Sequence, residues 1–232
     1  MCGRYALYGP VSRLSDRFGL AECADFAPRY NIAPQSDILV IRQHPEKGRV
    51  GVLHTWGLIP SWAKDPAIGG KLNNARAETV DEKPAFRSAF KRLRCLIPAS
   101  GFYEWQAAPE GIKARKQPFY ISPTTDEYFA FAGLVECWQP EEGSRVLSVC
   151  VITTTPNEVM VPIHDRMSVI LPDSLHDTWL DVRNHDTEAL MAILRPTEAA
   201  ATQAWPVSIA VSQARNDGEE LITRLVCSDL SS

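Results

Sequence analysis

The stretch Val146–Thr154, VLSVCVITT, is an almost unbroken apolar, β-branched run. Side chains alternate between faces along a strand, so a strand of this composition has no face to offer to water. It predicts a central strand. Strand patterns also cover 37–42, 49–56, 95–98, 101–106, 118–122, 128–135, 167–171 and 207–211, with a turn at 45–48 between the first two. Helical spacing is confined to 11–20, with Val11, Leu14 and Phe18 on one side, to 84–93, with Phe86, Phe90 and Leu93 inward, and to 173–180 and 187–194. Strands outnumber helices and do not alternate with them, which disfavours a doubly wound parallel sheet. The expected fold is α+β: a single domain with a mostly antiparallel, curved or barrel-like β core and peripheral helices. The domain is expected to span 1–228, with 107–117 as a long hairpin loop and 229–232 as a frayed tail.

A chain of 232 residues can bury a sizeable core. No run of about 18 apolar residues exists, so no membrane span is expected. No apolar leader opens the chain, which points to the cytosol, or to the nucleus in a eukaryote. None of the six cysteines has C-x-x-C or zinc spacing, so no metal or cofactor is expected. Cys95 and Cys150 lie inside apolar runs and read as small core residues. The net charge of −4 argues against a protein that coats nucleic acid without specificity. Charge is nevertheless uneven: FRSAFKRLRC, 86–95, holds basic residues and no acid. It reads as a solvated helix face or as a local path for phosphates.

Cys2 lies in no apolar run. It follows the initiator methionine in MCGRY, and methionine before a small residue is commonly trimmed. Cys2 would then carry an α-amine of pKa about 7.7–8.0, a better Schiff-base nucleophile near neutrality than a lysine of about 10.4. Its thiol, one carbon away, can add to the imine carbon and close a five-membered thiazolidine. A 1,2-aminothiol is therefore suited to capturing an aldehyde. MCGRY alone leaves three readings open: an incidental cysteine, this aldehyde trap, or an N-terminal nucleophile hydrolase whose thiol attacks an amide.

Other stretches carry further candidates. RYNIAPQ, 29–35, reads as a turn, with Asn31 bonding neighbouring backbone. In WGLIPSWAK, 56–64, Trp56 reads as core, while Trp62 sits among polar residues and is a candidate stacking surface. NNARAET, 73–79, is a loop, or an extended segment from which Asn74 and Arg76 project together. GFYEW, 101–105, puts Glu104 between aromatics. It is either an outward-facing strand glutamate or a carboxyl whose raised pKa lets it trade protons near pH 7. Trp105 faces the other way on a regular strand. His44, His176 and His185 lie in polar contexts and read as solvated, and His54 sits in a strand. His164 is followed by Asp165 and Arg166, a compact acid, base and cation group.

In order, MCGRY, RYNIAPQ, WGLIPSWA, NARAET, RCLIPASGFYEW, AGLVE, IHDRM and PVSIAV resemble the SOS response-associated peptidase (SRAP) family of abasic-site-processing proteins over nearly the whole chain. Ser168 departs from the proline usual after HDRM, and Pro156 from the small residue usual in TTTPN. The resemblance implies a β-rich fold with a groove for single-stranded DNA and a covalent link from Cys2 to the aldehyde of an abasic site. It implies that Cys2, Asn74, Glu104 and His164 are catalytic: Asn74 positions the Cys2 backbone or amine, Glu104 shuttles protons during sugar opening and imine formation, and His164 assists opening. Arg4, Arg76 and Arg166 are implied phosphate contacts, and Trp62 and Trp105 implied stacking surfaces. Lyase-like chemistry, self-removal of Met1 at most as a peptidase activity, and a monomer are expected. Two rivals remain at this stage. An N-terminal cysteine amidohydrolase usually has isoleucine after MCG, where this chain has Arg4, and no NGE-type segment is found. A non-catalytic single-strand-binding module would not prefer abasic DNA.

Overall fold

The computed structural model describes residues 2–109, 111, 115–125, 128–140 and 142–225. The expected tail at 229–232 and part of the 107–117 loop lie outside them. The strands are β1 (Tyr5–Leu7), β2 (Leu20–Cys23), β3 (Arg29–Ile32), β4 (Asp37–His44), β5 (Gly48–Trp56), β6 (Asn74–Arg76), β7 (Arg94–Ala99), β8 (Gly101–Gln106), β9 (Gln117–Pro123), β10 (Phe129–Trp138), β11 (Val146–Thr154), β12 (Met167–Ser168) and β13 (Thr202–Pro206). The helices are α1 (Val11–Phe18), α2 (Arg87–Arg92), α3 (His176–Leu180) and α4 (Thr187–Ala192). None is long and apolar enough to cross a membrane.

The apolar run becomes β11, buried from Ser148 to Thr154. It pairs with β10 and β12 antiparallel and with β5 and β6 parallel. The pairings β5–β4, β4–β7, β7–β10, β10–β11 and β11–β5 close a ring, a small barrel that removes its own edges. Beside it stands a five-stranded sheet in the order β13-β9-β8-β1-β3. Tyr5 of β1 joins the two. Its ring meets Trp56 at 5.5 Å and Phe131 at 6.1 Å, both edge-on, an arrangement that suits the aromatic quadrupole. The α+β, mostly antiparallel, barrel-like reading is thus what the chain forms, with helices at the periphery.

Local chemistry sets the ends of elements. Gly19, at φ 63°, stops α1 and donates to the carbonyls of Asp16 and Ser15. Gly48, at φ 82°, closes the β4–β5 hairpin after the 45–48 turn. Asp186 caps α4 by accepting from Ala189 N.

Several expectations are corrected. The late strand is 202–206 rather than 207–211. Residues 209–212 instead form a 3-10 turn, because the Ser208 hydroxyl accepts from Ala210 N and offers the backbone an alternative to a ladder. Regular pairing in 167–171 covers only Met167–Ser168, with an isolated bridge from Ile170 to Phe131. RYNIAPQ begins as strand β3, and its Asn31 is buried. Rather than neighbouring backbone, Asn31 bonds the distant carbonyls of Val211, Gln213 and Asn216. His176 is buried rather than solvated, bonded to the Leu171 carbonyl at 3.1 Å and stacked near Phe18. Arg94 leaves the basic run altogether. Its buried guanidinium donates to the carbonyls of Phe90, Lys91, Trp179, Asp181 and Asn184, stitching the ends of α2 and α3 to β7.

Arg94→Met should therefore cost about 2–4 kcal/mol, since several buried carbonyls lose their donor at once. Urea unfolding followed by circular dichroism measures it. A loss below about 1 kcal/mol would mean that water replaces the guanidinium.

Candidate active site

The start of β1 is where the chemistry gathers. β1 pairs with β8 and β3, which carries the residues ahead of it into the gap between sheet and barrel. Cys2 is consequently part of the main core, with no exposed surface in the chain that carries Met1. Its separation from the apolar runs of the sequence does not make it a surface residue. Burial, and secondarily the charge of Glu104, push its thiol up to about 12. The sulfur lies 4.0 Å from the Arg4 carbonyl, a long and weak contact.

Asn74 reaches this point from β6. Parallel pairing opposes Asn74 to Val151 and Arg76 to Thr153, so a nominal loop sequence is held extended by the central strand. The Asn74 side chain donates to the Cys2 carbonyl at 2.8 Å. Arg76, two residues on, stands exposed. The alternative of a plain loop is thereby excluded.

Glu104 lies on β8 and is 2% exposed. It faces the interior, not solvent, and burial raises its carboxyl above the ordinary value, with His164 among the opposing influences. His164 Nε2 lies 3.7 Å from Glu104 Oε2. On its other side Nδ1 meets the Arg166 N–H at 3.0 Å and Asp165 Oδ1 at 2.9 Å. A neutral ring protonated at Nε2 accepts from Arg166. Asp165 Oδ1 shares that side of the ring, and the Nε2 edge faces the Glu104 carboxyl.

Cys2, Asn74, Glu104 and His164 thus converge from the residues ahead of β1, from β6, from β8 and from the segment before β12. The remaining candidates are more dispersed. Arg4 is tied to Asn31 Oδ1 at 3.1 Å and to the Val211 carbonyl at 2.9 Å, so it also holds the 209–212 turn. Arg166 donates with both terminal nitrogens to Glu78, and to the Thr153 carbonyl at 2.6 Å. That bidentate pair joins the segment after β6 to the one before β12. Glu78 was not singled out in the sequence. Its place within NARAET was the available signal, but its partner lies 88 residues away. Trp105 is half-buried, donates to Ser212 Oγ at 3.0 Å and packs on the smaller core around Tyr103 and Tyr120. It also lines a cleft of about 530 Å³ with Gln106, Lys116, Pro162, His164 and Asp165. Trp62 is 58% exposed, bonded to the Pro84 carbonyl, and lies outside that cleft lining. A larger cleft between 43–45 and 177–184 includes none of these residues.

A small barrel with an adjoining sheet, a cysteine at position 2 and an Asn, Glu, His set around it define one class of protein. The family model described as SOS response associated peptidase (SRAP) matches residues 1–214, and the chain belongs to that family. Among its relatives, abasic site processing protein YoqW of Bacillus subtilis is 42% identical over 96% of this chain and 99% of its own length. Abasic site processing protein HMCES of Xenopus tropicalis is 34% identical, covering 87% of this chain and 67% of that protein. A crystal structure of a Bacteroides thetaiotaomicron protein shares the fold, with a TM-score of 0.85 at 21% identity, over 97% of this chain and 100% of that one.

The raised Glu104 carboxyl has a consequence for stability. The folded chain holds this proton more tightly than the unfolded one, so the stability it confers is present below pH 4.5 and lost as pH rises through the shifted value. Glu104→Gln, a neutral isostere, escapes that loss. Its melting temperature relative to the unaltered chain should therefore climb as pH rises from 4.5 into the neutral range. A pH-independent difference would show that the carboxyl is not perturbed.

Proposed function

We propose that this chain recognises abasic sites in single-stranded DNA and traps them covalently through Cys2 after loss of Met1. The observation that carries the reading is the grip of Asn74 on the Cys2 carbonyl, with Glu104 and His164 beside it. The names of the relatives, abasic site processing proteins at 42% and 34% identity, support the substrate class. All four groups come from one chain, so a monomer suffices.

Met1 leaves first, cut by an aminopeptidase or by the protein itself. The Cys2 nitrogen, an amide until then, becomes an α-amine, a group whose ordinary pKa of about 7.7–8.0 lies well below that of a lysine. The abasic deoxyribose is a closed hemiacetal in equilibrium with its aldehyde. Glu104, whose proton affinity is raised by burial, exchanges protons with the ring oxygen and the anomeric hydroxyl, assisted by His164. The amine adds to the aldehyde carbon, and water leaves with a proton supplied from Glu104. The thiol then adds to the imine carbon and closes the thiazolidine. An imine acidifies the neighbouring C–H and permits strand scission by β-elimination. Ring closure removes that electron sink, and the strand stays whole.

Arg76 and Arg4 offer cations for phosphates, and Trp62 and Trp105 offer stacking faces in single-stranded DNA, where no base pair need be broken. Arg166 has a different part in this reading. With its donors on Glu78 and Thr153, it fixes the His164 segment, and a phosphate would have to displace Glu78 to reach it.

Incubation with an oligonucleotide bearing one abasic site, followed by intact mass, tests the reading. The unaltered chain should lose the Met1 mass and gain the DNA mass less one water. Cys2→Ser should lose the heat-stable adduct, because an oxazolidine hydrolyses more readily. Cys2→Ala should give transient imine and strand scission. A heat-stable adduct from Cys2→Ala would sink the thiol's role, and full reaction with an uncleavable N-terminal tag would sink the amine's.

A further inference from the structure

Among the buried hydroxyls that the chemistry above leaves unused, one lies close to Cys2. Ser168 on β12 has no exposed surface, and its Oγ makes no well-formed hydrogen bond to any described group. A buried hydroxyl left unsatisfied is costly, so its presence calls for a reason. Strand register shows where it lies. Thr153 of β11 opposes Ser168 on one side and Arg76 of β6 on the other. Opposed residues turn their side chains to the same face, as do residues two apart along a strand. Ser168 therefore shares a face with Asn74, whose amide holds the Cys2 carbonyl. The Ser168 hydroxyl also stands near enough to the Cys2 sulfur to oppose the rise that burial imposes on the thiol.

We propose that Ser168 is a positioning residue for ring closure, its hydroxyl donating a hydrogen bond to Cys2 Sγ as the thiol gives up its proton. The inference rests on the crosslinking reading and deepens it.

The step balances without any outside reagent. In the protonated imine the Cys2 nitrogen is doubly bonded to the former aldehyde carbon. The thiol proton passes to the Glu104 carboxylate. A sulfur lone pair forms the S–C bond, and the C=N pair withdraws onto nitrogen to leave a neutral secondary amine. One S–H bond breaks and one S–C bond forms, with nothing oxidised or reduced. The ionisable groups around the sulfur are Glu104 from β8, which disfavours the thiolate, Tyr5 from β1, and the new α-amine. His164 and Asp165 act on Glu104 from the segment before β12. Ser168 adds a neutral donor aimed at the atom where negative charge develops, the arrangement that stabilises such charge most effectively.

The test uses the full chain, with Met1 loss verified by mass, as Ser168→Ala and Ser168→Thr. Three quantities are read: borohydride-trapped imine, denaturant-stable adduct formed without borohydride, and the pH profile of Cys2 alkylation by iodoacetamide, located by peptide mass. Ser168→Ala should leave imine trapping unchanged, slow stable-adduct formation about tenfold and move the alkylation profile to higher pH. Ser168→Thr, which keeps the hydroxyl, should restore both. An unmoved alkylation profile in Ser168→Ala overturns the proposal, as does equal slowing of imine and stable adduct. So does a Ser168→Thr chain of unchanged melting temperature that fails to recover. Alkylation needs no DNA, so a moved profile in a chain that never captures abasic DNA would uphold the Ser168–thiol contact while the crosslinking reading fell.

Discussion

Hiding both faces and both edges of β11 is the constraint on which the structure turns. A strand as apolar as VLSVCVITT cannot end a sheet or line a surface without exposing β-branched side chains and unpaired backbone. The chain resolves this by giving β11 four partners and closing the ring through β5. Two of those partners carry candidate site residues. β6 delivers Asn74, and β12 delivers Ser168 and ends the segment that bears His164. The ladder that buries the core is therefore the same ladder that registers the site, and rigid strands hold such groups more accurately than loops do.

Burial also sets the electrostatic character of the site. Both Cys2 and Glu104 lie where water cannot help them ionise, so both hold their protons more strongly than they would at a surface. A carboxyl in this state gives and takes its proton at higher pH than an exposed one, and His164 lies alongside it. The Arg166–Glu78 pair plays a quieter part. It is a two-pronged strap between the segments on either side of β11, and it consumes cationic capacity that a simple count of arginines would assign to DNA.

The periodic features were legible in the sequence: the α+β class, the burial of Trp56, Cys95 and Cys150, the β4–β5 hairpin and the inward faces of α1 and α2. These follow from local pattern. What failed depended on distant partners. Arg94 looked like one more cation in a basic run until five carbonyls from α2 and the α3 region surrounded it. Asn31 looked like a turn residue until the 211–216 backbone lay against it. Cys2 stood in no apolar stretch, yet the pairing of β1 with β3 and β8 draws it inside. Of the site, the ordered motifs named the four converging residues by resemblance. Their convergence could not be read from spacing, because β1, β6, β8 and β12 are joined only by the topology. Trp62 and Trp105 shared an aromatic signal, but only Trp105 borders the cleft beside His164.

Asn74 holds Cys2 by its carbonyl oxygen, not by its nitrogen. Cutting the peptide bond in front of Cys2 leaves that oxygen and its donor untouched. The anchorage of Cys2 is thus independent of the proposed loss of Met1: under that proposal the second residue is already held in place beforehand, and cleavage would change its reactivity without having to move it.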